Sequence, residues 1–435
     1  MFREDKYSKT LLELYDLQKF SIKMGLDNIT QLCEYLGNPH RSYPSIHIAG
    51  TNGKGSTSIL IQKILAAHGL KTGLYTSPHL VDFRERIRIN EDLIDTEFIT
   101  VLWAHFAKRV ADLKATFFDA TTAIAFKYFQ DKQVDIAVIE TGLGGRLDST
   151  NIIQPAAVVL TPIDIDHVKQ LGSDLRNIAW EKSAIIKEGT TLFTAGQHPQ
   201  VEEVIDQFRP RAKSDYRLNR VIRYRIISSS PQGMVFEFFD QVRQENFANV
   251  RLNLLGEFQI ENALVAYLCS RWYLENRSIR FDHDKLYDVF TRIQWPGRMQ
   301  QISKHPLIYF DVSHNYAGFS VTLDFIRSNF DLASAVLLLG LLADKEYERI
   351  IQLLIPDFNR IVLTEPNSDR KLDGNILKEL FSKYGKKADF IKDIQNAFDL
   401  CIRNMGDNDT LFVMGSHFLI GELSKSVQEK SLTSK

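Results

Sequence analysis

Short apolar runs rich in β-branched residues, at positions 46–49, 136–139 and 156–160, are bounded by glycine, proline or polar turns. Such runs read as strands buried on both faces of a parallel sheet. Between them lie stretches of helical period. Residues 58–68 are one example, closing on Gly69 where a helix end favours glycine. An N-terminal helical stretch precedes the first strand. The alternation predicts an α/β fold with helices on both faces of the sheet. The pattern changes from 213 to 253. There, 224–227 and 234–239 read as antiparallel strands joined by a turn at 228–233, an annex to the first domain. A helix follows Gln259, and Trp295-Pro296-Gly297 then breaks the period. Beyond it the alternation restarts, with strands expected at 307–310, 335–339, 360–364, 388–391 and 410–414. The chain therefore divides into two expected domains, 1–295 and 296–435. No internal repeat or low-complexity tract interrupts either.

Composition narrows the class without naming a function. Hydrophobic residues make up 44% and charged residues 25% of 435, ordinary for a globular protein of two or three domains. The formal net charge of -1 argues against nucleic acid or an anionic membrane as a bulk partner. Cys33, Cys269 and Cys401 are odd in number and far apart, which suggests reduced packing thiols rather than a disulfide framework. Residues 1–10 are charged, unlike a signal peptide, and the longest apolar run, 335–343, is far short of the roughly 18 residues that span a bilayer. A soluble cytoplasmic protein is expected.

The candidate chemistry gathers at the ends of the predicted strands. Ile46–Ala49 runs into Gly50-Thr51-Asn52-Gly53-Lys54-Gly55-Ser56-Thr57 and then a helical pattern. Such a turn can wrap N–H groups around phosphates, with the lysine neutralising charge and a hydroxyl at the helix start facing a metal ion. Its spacing departs from the common phosphate loop, since Gly50 lies too near Gly53-Lys54 and Gly55 separates the lysine from Ser56. The strand 134–139 ends at Glu140, before Thr141-Gly-Leu-Gly-Gly-Arg-Leu-Asp148. A carboxylate there is either solvated or a holder of magnesium near phosphates. Strand 156–160 leads to Asp166-His167, a surface turn or a metal ligand. Ser77, after strand 72–75, offers the same two readings. Lys182 sits in the apolar face made by Leu175, Ile178, Ala179 and Ile186. It either snorkels to solvent or is buried with a lowered pKa, and a neutral lysine is a nucleophile toward carbon dioxide. Arg298 can clamp phosphate and Asp311 can accept a ribose hydroxyl, or both are solvated.

Taken in order, these blocks resemble the folylpolyglutamate synthase/dihydrofolate synthase family of the Mur ligase superfamily. The matching segments are 49–57, Thr76-Ser-Pro-His-Leu80, Glu140 through Asn151, Asp166-His167, Glu181-Lys182, Pro296-Gly-Arg298, Asp311-Val-Ser-His314-Asn315 and Asp344-Lys345. The resemblance implies a P-loop-type, mostly parallel sheet ATPase domain followed by a smaller Rossmann-like α/β domain. It implies a monomer acting on ATP, glutamate and a pterin or folate acid, in which ATP activates a carboxylate as an acyl phosphate for attack by the glutamate amine. By position, Gly53, Lys54, Gly55 and Ser56 would cradle phosphates, and Ser77, Glu140 and His167 would hold one or two Mg2+ ions. Lys182 would be carbamylated. Asn262, Arg298, Asp311 and His314 would hold the nucleotide, and Asp148 would touch the pterin. Asp119 stands where the family commonly shows glutamate, Tyr316 where proline is usual, and Thr161, Pro162 and Val168 also differ. These departures bear on substrate preference. The competing readings are another Mur-type ligase using a non-folate carboxylate, which the lack of an evident extra N-terminal domain weakens, and a nucleotide-binding homologue without catalysis.

Overall fold

Residues 2–17 and 25–433 are described by a computed structural model of the chain. The first sheet has eight strands, β1 (Ser45–Ala49), β2 (Thr72–Tyr75), β3 (Ile87–Ile89), β4 (Asp92–Leu93), β5 (Ile136–Glu140), β6 (Ala157–Leu160), β7 (Thr191–Thr194) and β8 (Ser214–Arg217). Their order is β4-β3-β2-β5-β1-β6-β7-β8. From β2 to β8 the pairs are parallel, while β3 and β4 turn back antiparallel at one edge. Every residue of β1, β2, β5, β6 and β7 is buried, as continuous apolar runs between two helical layers require. Glu140 belongs to its strand, opposite Ile48, rather than following it.

The annex has three antiparallel strands, β9 (Ile222–Ser230), β10 (Gly233–Asp240) and β11 (Glu245–Leu252), one more than the sequence pattern suggested. The third, Glu-Asn-Phe-Ala-Asn-Val-Arg-Leu, buries only Phe247, Val250 and Leu252. A shift of pairing register between Phe236 and Phe238 breaks its period, so no clean alternation was visible. The helix Glu257–Asn276 is apolar nearly all round because it is a core element, packed on the helix Lys54–Ala67 beside the first sheet. One apolar cluster runs from Ile46 and Ile48 through Leu264 and Leu268 to Tyr309 and Leu337. It therefore joins the two halves of the chain.

The second lobe is a six-stranded sheet, β12 (Gln300–Lys304), β13 (Leu307–Asp311), β14 (Ala335–Leu339), β15 (Arg360–Leu363), β16 (Asp389–Phe390) and β17 (Thr410–Met414), ordered β12-β13-β17-β14-β15-β16. Only the β12–β13 pair is antiparallel. Among the described residues no helix is long and apolar enough to cross a membrane.

Candidate active site

In an open parallel sheet, ligands collect beyond the C-terminal strand ends. Here the four adjacent strands β2, β5, β1 and β6 deliver Ser77, Glu140, the loop 50–57 and Asp166-His167 to one rim. The loop is shaped by close approach. Gly53 caps the helix Lys54–Ala67 with φ of 86°, and a Cβ there would lie 2.4 Å from Asn262 Oδ1. A Cβ on Gly50 would lie 1.9 Å from Thr161 Oγ1, so the loop is also pressed against the end of β6. Asn262 thus stands directly behind the turn, anchored by Gln259 at 3.0 Å and by the Thr57 hydroxyl at 3.4 Å. Ser56 is buried in the first helical turn.

Two lysines share one carbonyl. Lys54 Nζ donates to Gly50 O at 3.0 Å and Thr51 O at 3.1 Å, and Lys182 Nζ donates to Gly50 O at 2.8 Å. Lys182 is 4% exposed, so the buried reading of its helical face holds. Its helix, Leu175–Ser183, ends before Ile186, which is buried in the turn beyond. Burial, reinforced by Lys54, pulls the Lys182 amine down to about 7, with Asp166 and Asp148 acting against the shift. An appreciable neutral fraction follows at physiological pH.

Glu140 is buried and its Oε2 accepts the Ser77 N–H at 3.2 Å. Burial raises its carboxyl to about 7, against Lys54, the Ser77 N–H, Arg298 and Arg86. Gly55 packs between it and Trp295, where a Cβ would lie 3.3 Å from the Trp295 Nε1 and 3.7 Å from Glu140 Oε2. His167 is half-exposed and adopts φ of 52°; burial lowers its imidazole to about 3. It therefore stays a neutral imidazole with a free lone pair at neutral pH. Among the described residues no group of three or more His, Cys, Asp or Glu side chains is poised to hold a metal by itself. The Glu140 carboxylate and the Ser77 hydroxyl, brought together by the Ser77 N–H bond, are nonetheless hard oxygen donors of the kind Mg2+ takes, and that ion keeps most of its shell for phosphates and water. His167 adds a softer donor from the next strand end.

The second lobe supplies the opposite wall. Arg298 feels Asp311 and Glu140, although burial lowers its pKa. Asp311, at the end of β13, uses both oxygens on backbone N–H groups, Met299 at 2.8 Å and Ser313 at 2.9 Å. It fixes the turn that carries Arg298. His314 Nδ1 lies 2.9 Å from Val312 O, and its ring faces His417 at 5.3 Å.

Asp148 takes four hydrogen bonds from its own loop: Gly142 N–H at 2.9 Å, Leu143 N–H at 2.7 Å, and Thr150 through N–H at 3.0 Å and Oγ1 at 2.5 Å. Its first role is to shape the loop 141–148. That loop is braced on the Lys182 helix. Arg146 reaches Glu181 Oε1 with Nε at 3.1 Å and Nη2 at 2.9 Å, and a Cβ on Gly145 would lie 2.7 Å from Glu181 O. Asp119 caps its helix by accepting from Thr116 N at 2.9 Å, and it receives Ser149 Oγ at 2.6 Å. The shorter carboxylate is therefore committed to bracing the same loop.

Three cations, Lys54, Arg298 and Lys345, gather with Glu140 and Asp166 within electrostatic reach of the loop lysine. Sequence reasoning assigned no role to Asn52, Asp166, Asn315 or Lys345. Each lies in a matching block, but their partners come from the other half of the chain, so local pattern carried no signal.

The family model "Mur ligase middle domain" matches residues 48–270, and "Mur ligase, glutamate ligase domain" matches 297–417. The chain is 30% identical to the dihydrofolate synthase/folylpolyglutamate synthase of Bacillus subtilis (strain 168), over 94% of this chain and 96% of that one. It is 34% identical to the enzyme of the same name from Mycobacterium tuberculosis, over 81% of this chain and 76% of that one. The solved structure of Mycobacterium tuberculosis folylpolyglutamate synthase complexed with ADP superposes with a TM-score of 0.87 at 30% identity, covering 97% of this chain and 99% of that one. With both family models matched in order and relatives at 30% identity or more over most of its length, this chain belongs to the folylpolyglutamate synthase/dihydrofolate synthase family of Mur ligases.

Proposed function

We propose that this protein is an ATP-dependent ligase that joins the amine of L-glutamate to the carboxyl of a pterin-bearing acid, dihydropteroate or a reduced folate, releasing ADP and phosphate. One observation carries the reading: a glycine-rich loop, Glu140 and cations from both lobes converge on a single rim, with Lys54 and Arg298 both within electrostatic reach of Glu140. Cations drawn from two lobes to one loop suit a polyphosphate. In this site Lys54 leaves the carbonyls of Gly50 and Thr51 for the phosphates of ATP, and Arg298 approaches from the other lobe.

Ser77, Glu140 and His167 would hold Mg2+, which supplies charge neutralisation to the phosphates when bound. The acid's carboxylate oxygen attacks the γ-phosphorus as the bond to ADP breaks. The glutamate nitrogen then attacks the acyl carbon; phosphate leaves and the amine loses its proton. Positioning and electrostatics do most of this work in phosphoryl transfer. Enclosure between lobes keeps water from the acyl phosphate.

Lys182 supports a further step of preparation. Its neutral amine adds to the carbon of CO2 and loses a proton, giving a carbamate anion beside the loop. Asp148 and the Arg146–Glu181 brace set the loop that would face the pterin, and His314 lines the far wall.

Purified protein is to be supplied with ATP, Mg2+, glutamate and, in turn, dihydropteroate, tetrahydrofolate and unrelated carboxylates, with ADP release followed. Glutamate-dependent turnover with at least one pterin acid is expected. Turnover only with a non-pterin acid would reassign the substrate class.

A further inference from the structure

Asn315 uses every hydrogen-bonding position of its side-chain amide. Oδ1 accepts the Gly318 N–H at 2.8 Å, capping the helix Tyr316–Asn329, and also accepts Asn52 Nδ2 at 3.2 Å. Nδ2 donates to Asn52 Oδ1 at 3.1 Å and to Asp166 Oδ2 at 3.0 Å. An amide offers two donors and two acceptor sites, so this one is saturated. Three of its four bonds cross to the first lobe, and one partner, Asn52, lies inside the phosphate loop.

Asp166 shows the same dependence on the other lobe. It is 8% exposed, and its cation is Lys345 Nζ at 2.5 Å, with His314 Nε2 at 3.7 Å. The one imidazole of its own lobe nearby, His167 Nε2, stands at 3.9 Å. With the lobes apart, Asp166 would keep the His167 N–H at 2.7 Å, while it and Lys345 would exchange their ion pair for water. By contrast, Leu80 packs against the apolar core of the second lobe beside the interlobe segment. A Cβ on Gly421 would lie 2.2 Å from Leu80 O, and one on Gly297 would lie 3.7 Å from Leu80 Cδ2. The side-chain packing of Leu80 is apolar, non-directional and independent of bound anions, while Gly421 lies against its backbone.

We propose that Asn52, Asp166, Asn315 and Lys345 form a polar clasp that sets the second lobe over the phosphate loop, pivoting on the Leu80–Gly421 contact. Asn315 is a positioning residue. It acts through Asn52, so the placement of the glutamate-ligase lobe is tied to the geometry of the loop that holds ATP. Lys345, released from Asp166 by an incoming anion, is the element of the clasp that a phosphate can compete for.

The test is Asn315→Asp. Aspartate keeps the helix cap, but it removes both Nδ2 donations and places a carboxylate against Asp166. Three readouts separate a clasp from a merely structural role. Thermal midpoint and AMPPCP affinity should stay near wild type, within about threefold for the latter, since the cap and the loop lysine remain. With AMPPCP and Mg2+ bound, small-angle scattering should show a larger radius of gyration than wild type. kcat should fall roughly 100-fold through misplacement of the reacting groups, more than KM for ATP changes. Lys345→Met should repeat the expansion, and Asn315→Asp with Lys345→Met together should expand the protein no further than either alone. An unchanged scattering profile in both variants overturns the clasp, whatever the activity. A collapsed thermal midpoint in Asn315→Asp also overturns it, because Asn315 would then serve folding rather than lobe placement. The kcat readout rests on the ligase reading, whereas scattering with AMPPCP does not, so a wrong substrate and a wrong clasp give different results.

Discussion

Lys182→Met has two separable consequences, and the structure sets the size of one of them. The wild-type ammonium is 4% exposed, donates to Gly50 O, and is faced by Lys54, Asp166 and Asp148. In the unfolded chain the amine holds its proton up to 10.5, whereas in the folded protein it releases it near about 7. Between those values the unfolded state binds more protons, so this residue's contribution to stability rises with pH. A gap of roughly 3.5 pH units at about 1.4 kcal/mol each amounts to about 5 kcal/mol of strain in the fully protonated native state. Methionine removes the charge and fills a similar volume, and its loss of the Gly50 hydrogen bond is a pH-independent offset. Urea unfolding of both proteins at pH 6, 7, 8 and 9 isolates the titration. The stability of the variant relative to wild type should decrease by about 3 kcal/mol from pH 6 to pH 9, from the same two pKa values. Ligation should be abolished while ATP still binds. A stability difference that does not change with pH would refute the depressed lysine. An active variant would remove the carbamate.

Other perturbations test other parts of the site. Gly53→Ala meets Asn262 Oδ1 and an unfavourable φ of 86°, so calorimetry should show ATP affinity weakened by roughly tenfold or more, the consequence of about 1.4 kcal/mol or more of strain. Glu140→Gln keeps the shape of the strand end but loses the charge, and steady-state kinetics should show kcat reduced by roughly 100-fold or more with KM for the pterin acid little altered. Gly145→Ala drives a methyl into Glu181 O, shifting the loop against the Lys182 helix. A rise in KM for the acid that exceeds any change in KM for ATP is expected, and equal changes in both would contradict a substrate-side role for the loop. Arg298→Ala should weaken nucleotide binding, and Arg298→Lys should restore part of it, read by ADP titration.

Much of this was legible because the parallel sheet writes itself plainly. β1, β5 and β6 are wholly buried, mainly apolar runs; Gly50 follows the first, Glu140 closes the second, and the third leads on to Asp166-His167. The lysine at 182 was visible because a helical face has a period and a charge interrupts it. β11 was not, since a register irregularity spoiled its alternation. The interlobe contacts were hidden for a different reason. Asn52 and Asn315 are 263 positions apart, and nothing in either local sequence announces a partner at that distance. Asp148 was a prospective pterin contact and Asp119 a departure from the family pattern, yet in the fold both are acceptors for backbone and hydroxyl groups that shape the loop or cap a helix. A carboxylate in a glycine-rich segment serves turn geometry as readily as ligand contact.

The central claim is that the cleft presents the γ-phosphate of ATP to a substrate carboxylate. Pterin acid labelled with 18O in its carboxyl group tests it directly, with the released phosphate analysed by mass spectrometry after glutamate-dependent turnover. Transfer of one 18O atom from the acid to inorganic phosphate, in step with amide formation, is the predicted result. Amide formation with unlabelled phosphate would contradict it.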